Sequence, residues 1–136
     1  MTLEDNKATV RRLYQAFSTG DLKAMEDVVA TNAVDLMSLE GQAPGVEGFK
    51  ERITGFRKGF PDLTITIEAM VAEGDMVAER AMFRGTHRGE FMGIPATGKQ
   101  VTGDIMGFNL LVDGKIAERG RIIDIFGLMQ QLGNTP

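Results

Sequence analysis

No cysteine occurs among the 136 residues, which excludes disulfides and thiolate metal sites. Histidine is nearly absent as well, and a single one, His87, rules out a multi-histidine metal centre. Long hydrophobic runs are missing: none approaches the ~20 residues that span a bilayer. The opening Met-Thr-Leu-Glu-Asp is acidic where a signal peptide begins basic. A cytoplasmic protein with no membrane partner is therefore expected. The net charge of -4 has no basic cluster to offset it, which argues against a nucleic-acid partner. What is present is an ordinary globular composition, 43% hydrophobic and 25% charged. The length fits one domain over residues 1–136, which buries roughly two-thirds of its unfolded surface.

Three helices are legible in the first half. Val10, Leu13, Tyr14 and Phe17 recur at helical spacing, with Lys7, Arg11, Arg12 and Gln15 on the other side. Thr2 and Asp5 can cap the start of this helix, and Gly20 sits where it would stop. Asp21 then caps a second helix carrying Leu22, Met25, Val28 and Val29, with its end placed near Thr31 and Asn32. Residues 33–39 read as a small strand bearing Asp35, and residues 40–48 as a loop. Phe49, Ile53, Phe56 and Phe60 define a third helix, which Pro61 closes by disfavouring α geometry just before it.

After Asp62 the hydrophobic period changes from 3.6 to 2, so the rest of the chain is sheet. Leu63, Ile65 and Ile67 alternate with polar residues. Glu73-Gly74-Asp75 makes a turn, and residues 76–86 return as a second strand. Residues 85–101 hold Gly85, Gly89, Gly93, Pro95 and Gly98, too many breakers for a regular element. This long connection, anchored by Phe91, Met92 and Ile94, is expected to form a pocket rim beside His87. Residues 101–112 and 115–126 flank Asp113-Gly114, a strong hairpin signal, and a helical turn follows around Leu128, Met129 and Leu132. Helices first and strands afterwards predict an α+β domain with a curved antiparallel sheet wrapped around the N-terminal helices.

Particular residues add a resemblance that periodicity cannot supply. Val10-Arg11-Arg12 leading to Phe17-Ser18-Thr19-Gly20-Asp21, the run Gly85-Thr86-His87-Arg88-Gly89-Glu90-Phe91, the run Gly93-Ile94-Pro95-Ala96-Thr97-Gly98, and the tail from Asp113 through Asp124 to Gly133 carry it. Over essentially the whole chain this resembles the SnoaL-like polyketide cyclases of the nuclear transport factor two-like, or cystatin-like, superfamily. The resemblance implies a cone-shaped α+β barrel, an apolar pocket between helices and sheet, a homodimer, and cofactor-free aldol closure of a polyketide. Its principal acid/base aspartate falls at position 121, which is Arg121 here, and its helper histidine at position 107, which is Gly107. A further histidine of many members falls on Leu36. His87 and Asp124 are retained. Asp35 lies in the segment where steroid isomerases of the superfamily carry their general base.

The final hairpin can be laid out in two ways. With a two-residue loop, Gly107 faces Gly120, Ile105 faces Ile122, Asn109 faces Glu118 and Gly103 faces Asp124. A bulge at Gly120 would instead turn Arg121 into the cavity alongside Gly107, as the resemblance favours. The paired glycines suit close approach of a ligand, while Arg119 and Arg121 read by default as a solvated or interface pair. Both sheet faces are too apolar for open water, so one should line the pocket and the other meet a second copy of the chain.

Two function classes follow. One is a cofactor-free cyclase or isomerase moving a proton on a hydrophobic carbonyl compound. Asp35 or Asp124 would serve as base, since a carboxylate in an apolar cavity has a raised pKa, with Arg121 as electrostatic stabiliser and His87 as auxiliary. Ligand contacts are expected from Tyr14, Leu36, Phe56, Phe91, Met92, Ile105, Gly107 and Asn109. The other is a non-catalytic protein that binds a hydrophobic ligand or dimerises. Epoxide hydrolysis is less supported, because the Arg-x-Asp strand motif of the limonene-type enzymes is missing from residues 101–126. A cavity holding a carboxylate near Arg121 favours the enzyme, whereas one filled by Met and Phe side chains counts against a ligand.

Overall fold

A computed structural model describes residues 1–133. Helix α1 spans Leu3–Thr19, and its start is fixed by a reciprocal capping box between Thr2 and Asp5. It stops at Gly20, which takes a left-handed conformation (φ 73°) open to glycine at little cost. The Arg57 guanidinium then donates to the carbonyls of Phe17 and Ser18 at 3.1 and 2.8 Å, closing the C-terminal end of α1. Helix α2 (Leu22–Val28) is capped by Asp21 and hands over directly to β1 (Val29–Asp35). The second helix is thus shorter than its periodicity implies, because the β-branched Val29 already pairs with β5. Helix α3 (Gly45–Gly59) follows, and the chain closes with α4 (Ile125–Gln131).

Strands β2 (Thr64–Glu73), β3 (Met76–Thr86), β4 (Gln100–Val112) and β5 (Lys115–Ile123) form an antiparallel run in the order β5-β4-β3-β2. Strand β1 joins its edge parallel to β5, so the sheet is mixed rather than wholly antiparallel. Register shifts in β2 at Glu68 and in β5 at Ala117 insert one unpaired residue each. Such bulges bend their strands, and they curl this sheet around the helices.

The concave face and the helices share one core. Leu13, Met25, Ile53, Phe60, Leu63, Phe83, Ile116 and Leu128 are almost completely buried, and each contributes about 1.5–3 kcal/mol. Phe56, Phe60, Phe83 and Phe91 interlock with centroid separations of 5.1–6.0 Å. The connection from residue 87 to residue 99 is sewn onto α3: the Arg88 and Gly89 N–H groups donate to the Gly59 carbonyl, and a Cβ at Gly89 would strike the Lys58 carbonyl oxygen. Asp62 holds the root of that connection by accepting from both the N–H and the hydroxyl of Thr86, at 2.7 Å each.

Candidate functional site

The bulge at Ala117 decides which side chains enter the interior. It sits three residues before Gly120, and it pairs Gly107 with Arg121, Asn109 with Arg119 and Ile105 with Ile123. The register without a bulge, which opposed Gly107 to Gly120, is overturned. Arg119 and Arg121 therefore both face the helices, and Arg119, expected with Arg121 to be a solvated or interface pair, is only 2% exposed.

Arg119 survives burial because it is surrounded by acceptors. Its Nη1 donates to Glu79 Oε1 at 2.6 Å and to Asn109 Oδ1 at 2.7 Å, while Nη2 donates to the Tyr14 hydroxyl at 2.8 Å. Tyr14 in turn donates to Glu79 Oε1 at 2.8 Å, and Asn109 Nδ2 donates to Glu79 Oε2 at 2.8 Å. Every member of this network is buried. Burial is the largest influence on the Tyr14 hydroxyl and pushes it up to about 12, so it stays protonated as the donor to Glu79. Burial also works against the Arg119 charge, but Tyr14 and Glu79 outweigh it and the net shift is upward.

Gly107 belongs to this network by subtraction. A Cβ there would collide with Glu79 Oε1 and lie 3.0 Å from Arg119 Nη1. The space expected to admit a ligand at Gly107 is filled by that ion pair, and Asn109, 0% exposed and bonded on both amide atoms, is likewise not open to one.

Arg121 has a different environment. No carboxylate lies within ion-pair distance of it among the described residues. Its guanidinium carbon stands 5.8 Å from the Phe17 ring centroid, a cation–π contact. Burial, reinforced by the nearby charges of Arg52 and Arg119, pushes its pKa down to about 9, which still leaves it charged at neutral pH. It stands where two spaces meet. The inner one, among Tyr14, Phe17, Phe83 and Ile105, holds about 10 Å³, hardly a water's worth. The outer one is a chamber of about 420 Å³ walled by Phe56, Phe91, Met92 and Ile123, with Arg52 as its second cation.

Arg52, on the chamber wall, pairs with Asp35, which itself lines a neighbouring depression with Ser38, Gln42 and Ala43 rather than the chamber. Arg52 Nη1 donates to the Met37 carbonyl at 2.6 Å and to Asp35 Oδ2 at 3.4 Å. Asp35 also accepts from the Met37 N–H and from Gln42 Nε2, each at 2.9 Å. It is therefore wrapped in donors rather than standing in an apolar cavity. Burial lowers the Arg52 pKa, and the Asp35 charge works in the opposite direction.

The expected site residues separate into groups. Phe56, Phe91, Met92 and Arg121 meet at the chamber, while Tyr14 and Ile105 line the closed interior behind it. Asp124 is exposed and caps α4, accepting from the Gly127 N–H at 2.9 Å. His87 is 0% exposed and packs on Phe60 at 5.5 Å. Its Nδ1 meets the hydroxyl and N–H of Thr97 at 2.9 and 3.2 Å, which locks the connection from within and keeps the ring off the chamber wall. Leu36 is 56% exposed and packs over Gly120 on the outer side of the sheet.

Glu79 and Arg52 went unrecognised as site residues. Glu79 had a signal: it lies in phase with Val77, Ala81 and Phe83 on the inward side of β3, where a lone carboxylate requires a buried partner.

Comparison with known proteins agrees with this architecture. The family model described as SnoaL-like polyketide cyclase matches residues 8–132. The chain is 28% identical over 127 residues to the aklanonic acid methyl ester cyclase DnrD of Streptomyces peucetius, covering 91% of this chain and 88% of that one. It is 26% identical to the nogalonic acid methyl ester cyclase of Streptomyces nogalater, over 90% and 92% of the two chains. Among solved structures, IdmH of Streptomyces antibioticus, named as a candidate polyketide cyclase, superposes with a TM-score of 0.83 at 35% identity over 94% of this chain and 98% of that one. TsrD of Streptomyces laurentii shares the fold at a TM-score of 0.92 and 24% identity, over 99% of both chains. The chain belongs to the SnoaL-like polyketide cyclase family.

Proposed function

We propose that this protein is a cofactor-free cyclase or isomerase acting by proton transfer on a hydrophobic, polyketide-like carbonyl compound held in the chamber beside Arg121. The observation that carries this proposal is a charged guanidinium with no carboxylate partner among the described residues, facing an apolar space large enough for a substrate. A cation so placed interacts more strongly with an enolate oxygen than with the neutral carbonyl that precedes it, which is the differential binding that accelerates a reaction. Asp35, bonded to Arg52 on the far side of the chamber wall, is the carboxylate proposed to take the α-proton. Doing so requires its side chain to leave Gln42 and turn past Arg52 into the chamber. The enolate carbon then attacks a second carbonyl of the same molecule, and the resulting alkoxide recovers the proton. Compounds of the kind named for the relatives, aklanonic and nogalonic acid methyl esters, are to be assayed side by side with the corresponding free acids.

A general test needs no natural substrate. Exchange of the α-protons of 2-tetralone in D2O, followed by NMR, should run faster with the protein than in buffer and fall at least roughly tenfold in Asp35→Asn. A second reading, a non-catalytic binder of hydrophobic ligands, is favoured by the donors that occupy Asp35 and by the nearly filled inner space. Exchange no faster than in buffer would leave that reading standing.

The outer sheet face supports a homodimer. Val71, Met106, Phe108 and Ile122 are 60–67% exposed there, around a shallow apolar basin of about 550 Å³. Sedimentation at micromolar concentration should give a dimer, and Phe108→Glu should give a monomer. A monomeric wild type would contradict this.

A further inference from the structure

Two guanidiniums that repel each other face one apolar chamber, Arg121 on β5 and Arg52 on α3. Arg52 is only partly satisfied, since Nη1 makes both of its hydrogen bonds and the other nitrogens make none among the described residues. Arg119 adds a third positive charge next to Arg121, but Glu79 matches it in an ion pair of 2.6 Å. Asp35 matches Arg52 in the same way, more loosely, at 3.4 Å. Glu51, the acidic residue on the chamber wall, is exposed and accepts from the Ala43 N–H at 3.1 Å. Among the described residues one positive charge, that of Arg121, is left over.

From this arrangement we infer that the ligand carries an ionised acid group, of the carboxylate class, which sits against Arg121 and within reach of Arg52, while its apolar body rests on Phe56, Phe91 and Met92. Uncompensated guanidinium in an apolar surround is costly, and an anion between the two arginines relieves both the desolvation and the repulsion. The inference rests on the chamber being the substrate site, as proposed above. A guanidinium has five N–H donors, so holding a carboxylate does not exhaust Arg121 for the enolate oxygen. The substrate class is thereby narrowed from hydrophobic carbonyl compounds to hydrophobic carbonyl acids.

The probes are 2-naphthoate and 2-naphthamide, which share size and shape and differ in charge. Calorimetric titration should show naphthoate binding the wild type at least about tenfold more tightly than the amide, the order expected for one charge-assisted hydrogen bond. Arg121→Met should remove the preference, and Arg121→Lys should keep part of it. Thermal unfolding of each variant verifies that it is folded. No binding of naphthoate, equal binding of the two probes, or an unchanged preference in Arg121→Met would overturn the inference. Because 2-tetralone carries no acid group, its exchange can persist when the anion preference fails, and the preference can persist when exchange fails, so the two proposals fall separately.

Discussion

Glu79→Ala should destabilise the protein by about 3–5 kcal/mol in denaturant unfolding. The carboxylate is completely buried and accepts from Tyr14, Asn109 and Arg119 at once. Its removal leaves a charged guanidinium, a tyrosine hydroxyl and an amide without their common acceptor, in a space that water cannot easily fill. The penalty belongs to the orphaned charge rather than to the ion pair itself, and a double variant separates the two. Glu79→Leu combined with Arg119→Met replaces the pair with apolar groups of similar bulk and should recover most of the loss. A cost below about 1 kcal/mol for Glu79→Ala, or a double variant no better than the single, would show that the network does not hold the helices and sheet together.

The elements themselves were readable because local signals agreed. The Thr2–Asp5 box and Gly20 delimit α1, and strict alternation from Met76 to Thr86 matches β3 residue for residue. The register of the last hairpin was not readable from an unbulged pairing, because a one-residue slip exchanges the two faces of a strand. The extra residue is Ala117, which carries none of the marks of a bulge, whereas Gly120, which looks like one, pairs normally with Phe108. That slip hid the inward turn of Arg119 and, with it, the partner that explains Glu79.

His87 illustrates a different limit. A histidine among glycines suggests an exposed loop, yet Gly85 and Gly89 allow Phe60 and the end of α3 to press against the segment and bury the ring. Close approach of distant backbone leaves no local pattern to detect.

Arg121→Met should move stability and activity in opposite directions. With its pKa pushed down by burial from 12.5 to about 9, the guanidinium is charged at neutral pH both folded and unfolded, and the folded state carries the desolvation. Methionine keeps the aliphatic packing and drops the charge, so stability should rise, on the order of 1 kcal/mol. The same change removes the group proposed to face the enolate oxygen, and loss of such a stabiliser costs about 100-fold or more in rate. Arg119→Met, by contrast, should lower stability, because it strands Glu79. Two arginines on one strand, two residues apart and on the same face, are thus predicted to respond in opposite directions: Arg119 is bound into the network with Glu79, whereas Arg121 has no carboxylate partner among the described residues and is the one proposed to meet a ligand.

In the proposed reading, the charge of Arg121, without a carboxylate partner among the described residues, makes the chamber a site. That role of Arg121 is tested most directly by measuring the melting temperature and the 2-tetralone exchange rate on the same preparations of wild type and Arg121→Met. A higher melting temperature together with exchange reduced to near the buffer rate is the predicted result. A variant that melts lower than the wild type and exchanges just as fast would contradict the account.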